Sequence, residues 1–189
     1  MPKIGDSGVF NGGAAGPFTV VNEEMGAAVG SELRRNVSFP IAASDIRRWA
    51  VAVYYPEPPP AWFWDPQAAA ATTHRGIVAP EEFNPFAWMP AGGPPPAVAE
   101  ETGGHDPDAT EKRLGVRPPG MSHQLNGGLE VDYGVRMRPG DVITSVTRLA
   151  GYTERPGKLG WMLFTTYEDT WTNQDGKLVK RSRSTLIRY

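Results

Sequence analysis

The chain carries SDIRRWAVAVYY at residues 44–55, and after a run of prolines it continues as WFWDP at residues 62–66. Apolar residues of the first stretch recur at the spacing of one helix face: Ile46, Trp49, Ala50, Val53 and Tyr54. Ser44 is placed to accept the first free backbone N–H groups, and Asp45 suits the positive end of a helix. The stretch therefore predicts a capped amphipathic helix that ends in an aromatic elbow, because proline lacks the amide donor that a helix needs.

A second short helix is predicted directly after the elbow. Asp65 precedes Pro66 and an alanine run at residues 68–71, which suits an N-cap followed by proline at the first helical position. Asp65 is also the carboxylate nearest the elbow. It is therefore a weak catalytic candidate as well as a cap.

From Gln124 onward the apolar residues follow the period of strands instead of that of a helix. Four runs predict strands, the first of them half-buried, at residues 129–135, 142–149, 161–171 and 178–187. Turn signals separate them at residues 138–141, 154–158 and 173–176. An earlier strand is predicted within residues 29–41. Helices followed by antiparallel strands predict an α+β domain.

The chain is predicted to fold as one domain. Residues 1–28 form a flexible lead-in, and residues 29–189 form the domain itself. Within it, prolines and glycines make regular structure unfavourable at residues 90–122, which are predicted to be a long loop insertion.

Composition excludes several classes of function. A formal net charge of -2 with 21% charged residues gives no electrostatic reason to bind nucleic acid or an anionic membrane. No apolar run is long enough for a spanning helix, and no signal peptide is evident. The absence of cysteine excludes disulfides and a thiol nucleophile and is compatible with a cytoplasmic protein.

Several short motifs occur in a family-specific order. They are the helix start at residues 44–50, DPQAA at 65–69, GIVAP at 76–80, RPGD at 138–141, TNQDG at 172–176 and SRST at 182–185. In this order they resemble the N-terminal, FAS1-like branch of the MaoC dehydratases, hot-dog proteins that act on acyl thioesters. The resemblance implies a bent antiparallel sheet wrapped round a helix.

Catalytic relatives end that helix in a Gly-Asp-x-Asn-Pro-x-His pattern, whose Asp and His activate water for addition to a 2-enoyl thioester. In this chain Tyr55 falls at the place of the Asp, and Phe63 or Trp62 falls near that of the His. These side chains take no proton from water near neutral pH. The resemblance therefore implies the fold without a complete hydratase site, and it implies no metal or cofactor.

The remaining candidates each have a structural interpretation as well. Residues assigned to substrate binding, with core packing as the alternative, are Tyr55, Trp62, Phe63, Phe83 and Phe86. His123, just before a strand, is a weak catalytic candidate and otherwise a structural histidine. His74 is interpreted as a helix C-cap, and His105 as a solvated loop residue.

The last strand carries a row of arginines. It contains Arg181, Arg183 and Arg188, which indicate either a solvated sheet face or contacts to CoA phosphates.

Three functions remain open on this basis. The first is a non-catalytic, pocket-forming hot dog that pairs with a separate MaoC-like subunit carrying Asp and His. The second is a self-sufficient hydratase that uses other residues such as His123 and Asp65. The third is an acyl-CoA-binding scaffold. A single hot dog leaves sheet edges open, so we expect a homodimer or a pair with a second hot-dog chain.

Overall fold

The computed structural model describes residues 19–87, 106–157 and 160–189. Its centre is a five-stranded antiparallel sheet with the strand order β1-β3-β4-β5-β2. The strands are β1 Glu32–Val37, β2 Gln124–Tyr133, β3 Thr144–Gly157, β4 Gly160–Thr172 and β5 Leu178–Arg188. The predicted α+β class and the four late strands are confirmed.

The helices are short except for one. They are α1 Glu23–Ala27, α2 Ala43–Tyr54, α3 Pro66–Ala70 and α4 Ala109–Leu114, with a 3-10 turn at Ala61–Phe63 between α2 and α3. Two of them differ from the sequence expectations. α1 lies in the predicted flexible lead-in, where Asn22 caps it and Met25 is fully buried. α4 lies in the predicted loop of residues 90–122, whose first part, through residue 105, is outside the described residues.

Helix α2 begins two residues earlier than a cap at Ser44 would place it. Its N-cap is Ala42, which offers no side-chain acceptor, so the predicted Ser44 cap is wrong and Ser44 lies inside the first turn. Ile46 and Ala50 are fully buried, whereas Val53 is 54% exposed. The apolar stripe is therefore covered only along the first part of the helix, and its C-terminal end is open.

The core joins α2 to one face of the sheet. Its members are Ile41, Ile46, Ala50, Phe63, Ala79, Phe83, Met137, Ile143, Trp171 and Val179. We call the sheet face that carries Trp171, Tyr167 and Thr165 the inner face. Helix α4 also packs on it, since Thr110 and Tyr167 share a hydrogen bond of 2.7 Å.

Two strand predictions need correction. Strand β2 is an edge strand and is mostly exposed, so the alternation at residues 129–135 did not mark a half-buried strand. Residues 154–157 do not turn but continue β3, because Pro156 still pairs with Trp161 of β4. The turns at residues 138–141 and 173–176 are confirmed by the hydrogen bonds from Asp141 N to Arg138 O and from Gly176 N to Asn173 O.

A buried ion pair ties α4 to the last strand. Arg188 donates to both carboxylate oxygens of Glu111, at 2.7 and 2.8 Å, and both side chains are fully removed from solvent. Thr165 accepts a further hydrogen bond from Arg188, and Tyr152 donates one to Glu111. The pair lies on the inner face, at the end of the sheet where β2 begins.

Candidate functional site

The elbow after α2 opens into a cleft of about 440 Å³, which we call the elbow cleft. It is lined by Tyr54, Trp62, Phe63, Thr72, Thr73, His74, Pro80, Glu81 and Arg136. The proline run after Tyr55 ends the helix, and the 3-10 turn then places Trp62 and Phe63 in the wall. The cleft therefore has an aromatic side built by the elbow and a polar side built by the segments that face it.

Asp65 holds the start of α3 and does not line the elbow cleft. Its carboxylate accepts hydrogen bonds from Gln67 N at 2.8 Å and from Ala68 N at 3.4 Å. The predicted cap and the predicted proline at the first helical turn are confirmed. Two of the carboxylate's lone pairs are thereby committed to the backbone.

The polar side of the elbow cleft consists of His74, Glu81 and Arg136. Arg136 donates to Glu81 Oε1 at 2.7 Å and to the carbonyl oxygen of Ala79 at 2.8 Å. The carbonyl of His74 accepts from Arg138 at 2.6 Å, which fixes the backbone beneath the imidazole. Among the residues that the structure describes, no carboxylate holds the half-buried ring of His74, so its orientation is not set in the way of a catalytic histidine.

A second cleft adjoins the first and is more highly charged. It has a volume of about 470 Å³ and shares His74 and Arg136 with the elbow cleft. Its other lining residues are Gly134, Val135, Arg138, Asp141, Asn173, Asp175 and Lys177. An elongated ligand with one apolar end and one anionic end would match the two clefts, with its apolar end in the elbow cleft and its anionic end in the charged one.

Two further polar groups near this region have shifted pKa values, but neither lines either of these two clefts and so neither provides a base there. Burial raises the pKa of Tyr133, and so does the hydrogen bond that its hydroxyl donates to the Glu82 carboxylate. The pKa reaches about 12, so this phenol stays neutral. Burial also lowers the pKa of Lys180, whose Nζ lies 3.5 Å from the ring centre of Trp171. Neither side chain lines the elbow cleft.

A model of the FAS1-like dehydratase domain region matches residues 27–182 of this sequence. The chain belongs to this family. Its structure also resembles that of the Mycobacterium tuberculosis ChsH1–ChsH2 complex, with a TM-score of 0.59, 20% identity, and 84% of each chain covered.

Two further solved structures share the fold. The MaoC-like dehydratase of Rhodospirillum rubrum matches with a TM-score of 0.51 and 20% identity, over 86% of this chain and 92% of that one. The R-hydratase PhaJ1 of Pseudomonas aeruginosa matches with a TM-score of 0.50 and 14% identity, over 85% and 81%. No curated protein matches the sequence. These likenesses confirm the hot-dog fold that the resemblance implied.

The five residues predicted to bind substrate in this member of the FAS1-like dehydratase family lie in different places. Trp62 and Phe63 line the elbow cleft. Tyr55 is 81% exposed and lies outside it. Phe63 is also a core residue, as is Phe83, and Phe86 packs against the core. The rings of Phe83 and Phe86 meet those of Trp49 and Trp171 edge-on, at centroid distances of 5.6 and 5.1 Å respectively.

The two weak catalytic candidates are not brought together. His123 is exposed, stacks on Tyr189 with ring centroids 5.2 Å apart, and meets the Ser122 hydroxyl at 2.9 Å. It lies just before β2, on the surface of the protein. Asp65 caps α3, and no contact joins the two side chains in the described ranges.

The arginine row of β5 is already paired. Arg183 bonds to Glu168 at 2.9 Å, Arg181 lies 4.0 Å from the same carboxylate, and Arg188 is buried against Glu111. Their partners are carboxylates of this chain, which weakens the interpretation that the row binds CoA phosphates.

Sequence reasoning missed His74 and Arg136 as lining residues. His74 was interpreted as a helix cap, but the Thr72 hydroxyl takes that role by donating to the Ala69 carbonyl at 2.7 Å. The sequence did not indicate which of Thr72 and His74 caps the helix, because either side chain could reach the helix end. Arg136 follows β2 and reaches the cleft only through the fold.

Within the described ranges, no three His, Asp or Glu side chains come together as a metal site. No helix there is long and apolar enough to cross a membrane.

Proposed function

We propose that this chain is the pocket-forming, non-catalytic hot dog of a 2-enoyl-thioester hydratase, and that a second MaoC-like hot-dog chain supplies the catalytic Asp and His. The observation that carries the proposal is the composition of the elbow cleft. Its wall contains Trp62 and Phe63 where a catalytic elbow would present a base, and Tyr55 is turned to solvent. The cleft can hold an acyl chain but lacks the expected dyad.

The chemistry of hydration explains why a partner is needed. Adding water to a 2-enoyl thioester requires a base for the water, an acid for the α carbon and a donor for the thioester oxygen. Arg136 uses three of its five N–H groups to hold Glu81 and the Ala79 carbonyl, and a guanidinium supplies no base for the water. The aromatic wall instead provides apolar surface, which suits the hydrocarbon part of the substrate.

An acyl-CoA is the substrate class that fits both adjoining clefts. The elbow cleft would take the acyl chain, and the charged cleft beside it, with Arg138 and Lys177, would lie nearer the phosphates. One of the similar structures is a complex of two named components, ChsH1 and ChsH2. It supports a hot-dog partner for this chain, although a homodimer would cover the same edge strand. We keep a cytoplasmic location as part of this proposal.

The experiment compares the chain alone with the chain bound to its partner. Crotonyl-CoA hydration by the purified chain should be close to background, since loss of a general base typically costs about 10²–10⁴ in rate. Co-expression with a MaoC-like protein that carries Asp and His should give a stable complex with full turnover. Brisk hydration by the chain alone would contradict the proposal.

A matched pair of tryptophans tests the pocket role within the active complex. Trp62→Ala should change the preference among acyl-chain lengths more than it lowers the best rate, because Trp62 lines the elbow cleft. Trp64→Ala is the control, since Trp64 is comparably exposed but stacks with Arg47 outside the cleft. Equal effects of the two changes on chain-length preference would argue against a pocket at the elbow.

A self-sufficient hydratase is the second candidate, and one observation favours it: His74 and Glu81 both line the elbow cleft. If the isolated chain is active, His74→Gln should abolish the activity. His123→Gln, which removes a surface imidazole, should leave it intact. The reverse result would return the catalytic role to His123. If the chain binds acyl-CoA but shows neither turnover nor a partner, the scaffold hypothesis is the one supported.

A further inference from the structure

A separate cleft of about 270 Å³ lies between α4 and the β1 side of the sheet. It shares no lining residue with the elbow cleft. It is lined by Leu33, Arg34, Ala109, Thr110, Arg113, Thr147 and Tyr167. It is smaller than the usual site for a whole organic ligand, and it suits a small molecule or a single chemical group.

The charge of this cleft is positive and is not compensated within its lining. Arg34 and Arg113 contribute two guanidinium groups, and no carboxylate is among the lining residues. Glu32, next to β1's Leu33, is engaged by Arg35 and Arg148. In the part of the chain that the structure describes, neither Arg34 nor Arg113 has an ion-pair partner.

The hydroxyl groups of the cleft leave one proton available. Thr110 Oγ1 and Tyr167 Oη are 2.7 Å apart, and one hydrogen lies between them. If Tyr167 donates it, the Thr110 hydroxyl keeps its own proton; if Thr110 donates it, the Tyr167 hydroxyl keeps its own. Thr147 donates to Asp169 Oδ1 at 3.3 Å, which leaves its proton occupied. Whichever way the first pair is oriented, one O–H donor remains beside the two guanidinium groups.

We propose that this cleft binds a small oxyanion, a phosphate or carboxylate group, held by Arg34 and Arg113 and by the free hydroxyl of the Thr110–Tyr167 pair. Guanidinium groups match such anions because their N–H groups form a planar fork that can donate two parallel hydrogen bonds. The site is independent of the elbow cleft. It needs neither the catalytic partner nor an acyl substrate.

Titration calorimetry of the full chain at constant ionic strength tests the site, with inorganic phosphate and acetate as separate ligands. One of the two anions should bind saturably, and Arg34→Gln with Arg113→Gln should weaken its binding at least tenfold. Arg117→Gln is the control for loss of an exposed cation outside the cleft; it removes one positive charge, whereas the double variant removes two. It should leave the binding unchanged.

The outcomes separate the sources of the anion. Saturation by phosphate alone assigns a phosphate group, and saturation by acetate alone assigns a carboxylate. If neither binds saturably, or if the double variant binds as tightly as the Arg117→Gln protein, the proposal is overturned. Should the double variant lose its fold by circular dichroism, Arg34→Lys with Arg113→Lys keeps the charge while losing the forks. It should still bind more weakly than the native chain, and equal affinity would again overturn the proposal.

Discussion

Glu111 and Arg188 are the residues whose loss should cost this protein most. Glu111→Gln leaves the fully buried Arg188 guanidinium without its bidentate partner, and breaking such a pair costs about 3–5 kcal/mol. Urea unfolding followed by circular dichroism would measure the loss. The control, Arg183→Gln, breaks an exposed pair with Glu168 and should cost no more than about 1 kcal/mol.

The same pair predicts how stability depends on pH. Burial alone would raise the pKa of Glu111, but hydrogen bonds from Arg188 and Tyr152 outweigh it, so the pKa lies below the ordinary value of 4.5. A carboxyl whose pKa is lower in the folded chain stabilises the fold above the unfolded pKa. That contribution is lost as pH falls below 4.5. The midpoint of urea unfolding should therefore drop over this acid range, and the drop should be smaller in the protein with Glu111→Leu and Arg188→Met.

Asp65 allows a structural role to be separated from a catalytic one. Asp65→Ala removes the acceptor for two backbone N–H groups of α3 and should destabilise the fold by about 1 kcal/mol. Asp65→Asn keeps an acceptor and should restore most of that stability. In an active complex both variants should retain turnover once folded. Loss of turnover in a stable Asp65→Asn protein would instead give this carboxylate a chemical role.

At the scale of elements, the β4–β5 hairpin depends on one left-handed residue. Gly176 has a φ of 71°, and Asn173 Oδ1 accepts from both Asp175 N and Lys177 N within the same turn. Gly176→Ala should cost about 1 kcal/mol, because a Cβ crowds the following carbonyl in this conformation. Gly151→Ala is the comparison, since Gly151 is in β3 with open space around its Cα. Thermal unfolding of both variants should show a lower midpoint for Gly176→Ala only.

These elements also show what the sequence could and could not predict. The hairpin at residues 173–176 and the Asp65 cap depend on neighbours in the chain, so local patterns were sufficient for them. The cap of α2 was wrong because several starts one residue apart are compatible with the same apolar stripe. Helix α4 was missed because it depends on Glu111 reaching Arg188, a contact 77 residues away.

The candidate site was only partly predictable for the same reason. Trp62 and Phe63 belong to the elbow itself and were identified from it. Phe83 resembled them in sequence but lies only in the core, whereas Phe63 belongs to both the core and the cleft wall. An aromatic residue carries no local signal that distinguishes these two environments. Arg136 reaches the elbow cleft from the segment that follows β2, a position that only the folded sheet defines.

For the whole molecule, strand β2 is the predicted contact with a second hot dog. Leu129 is 66% exposed on this edge strand, and its pairing with Ser184 places it on the inner face. Leu129→Lys should therefore leave the isolated fold stable but convert the dimer or complex to a monomer, because a charge would be buried at the contact. Light scattering coupled to gel filtration measures the outcome.

Thr153→Lys is the control for that experiment. Thr153 is exposed on β3, and its register places it on the opposite face of the sheet. It should leave the assembly intact. A native chain that is monomeric at micromolar concentration would count against the expected assembly altogether.

The separation between Glu111 and Arg188 has a consequence for biosynthesis. Glu111 leaves the ribosome 77 residues before Arg188, which is roughly 4 to 15 s at ordinary rates of translation. During that interval the Glu111 carboxylate has no Arg188 guanidinium to pair with, and α4 has no complete inner face to pack on. Until β5 has been synthesised, the sheet of the nascent chain is incomplete. Factors that shield such chains from one another would therefore act on this protein during the interval between the synthesis of Glu111 and that of Arg188.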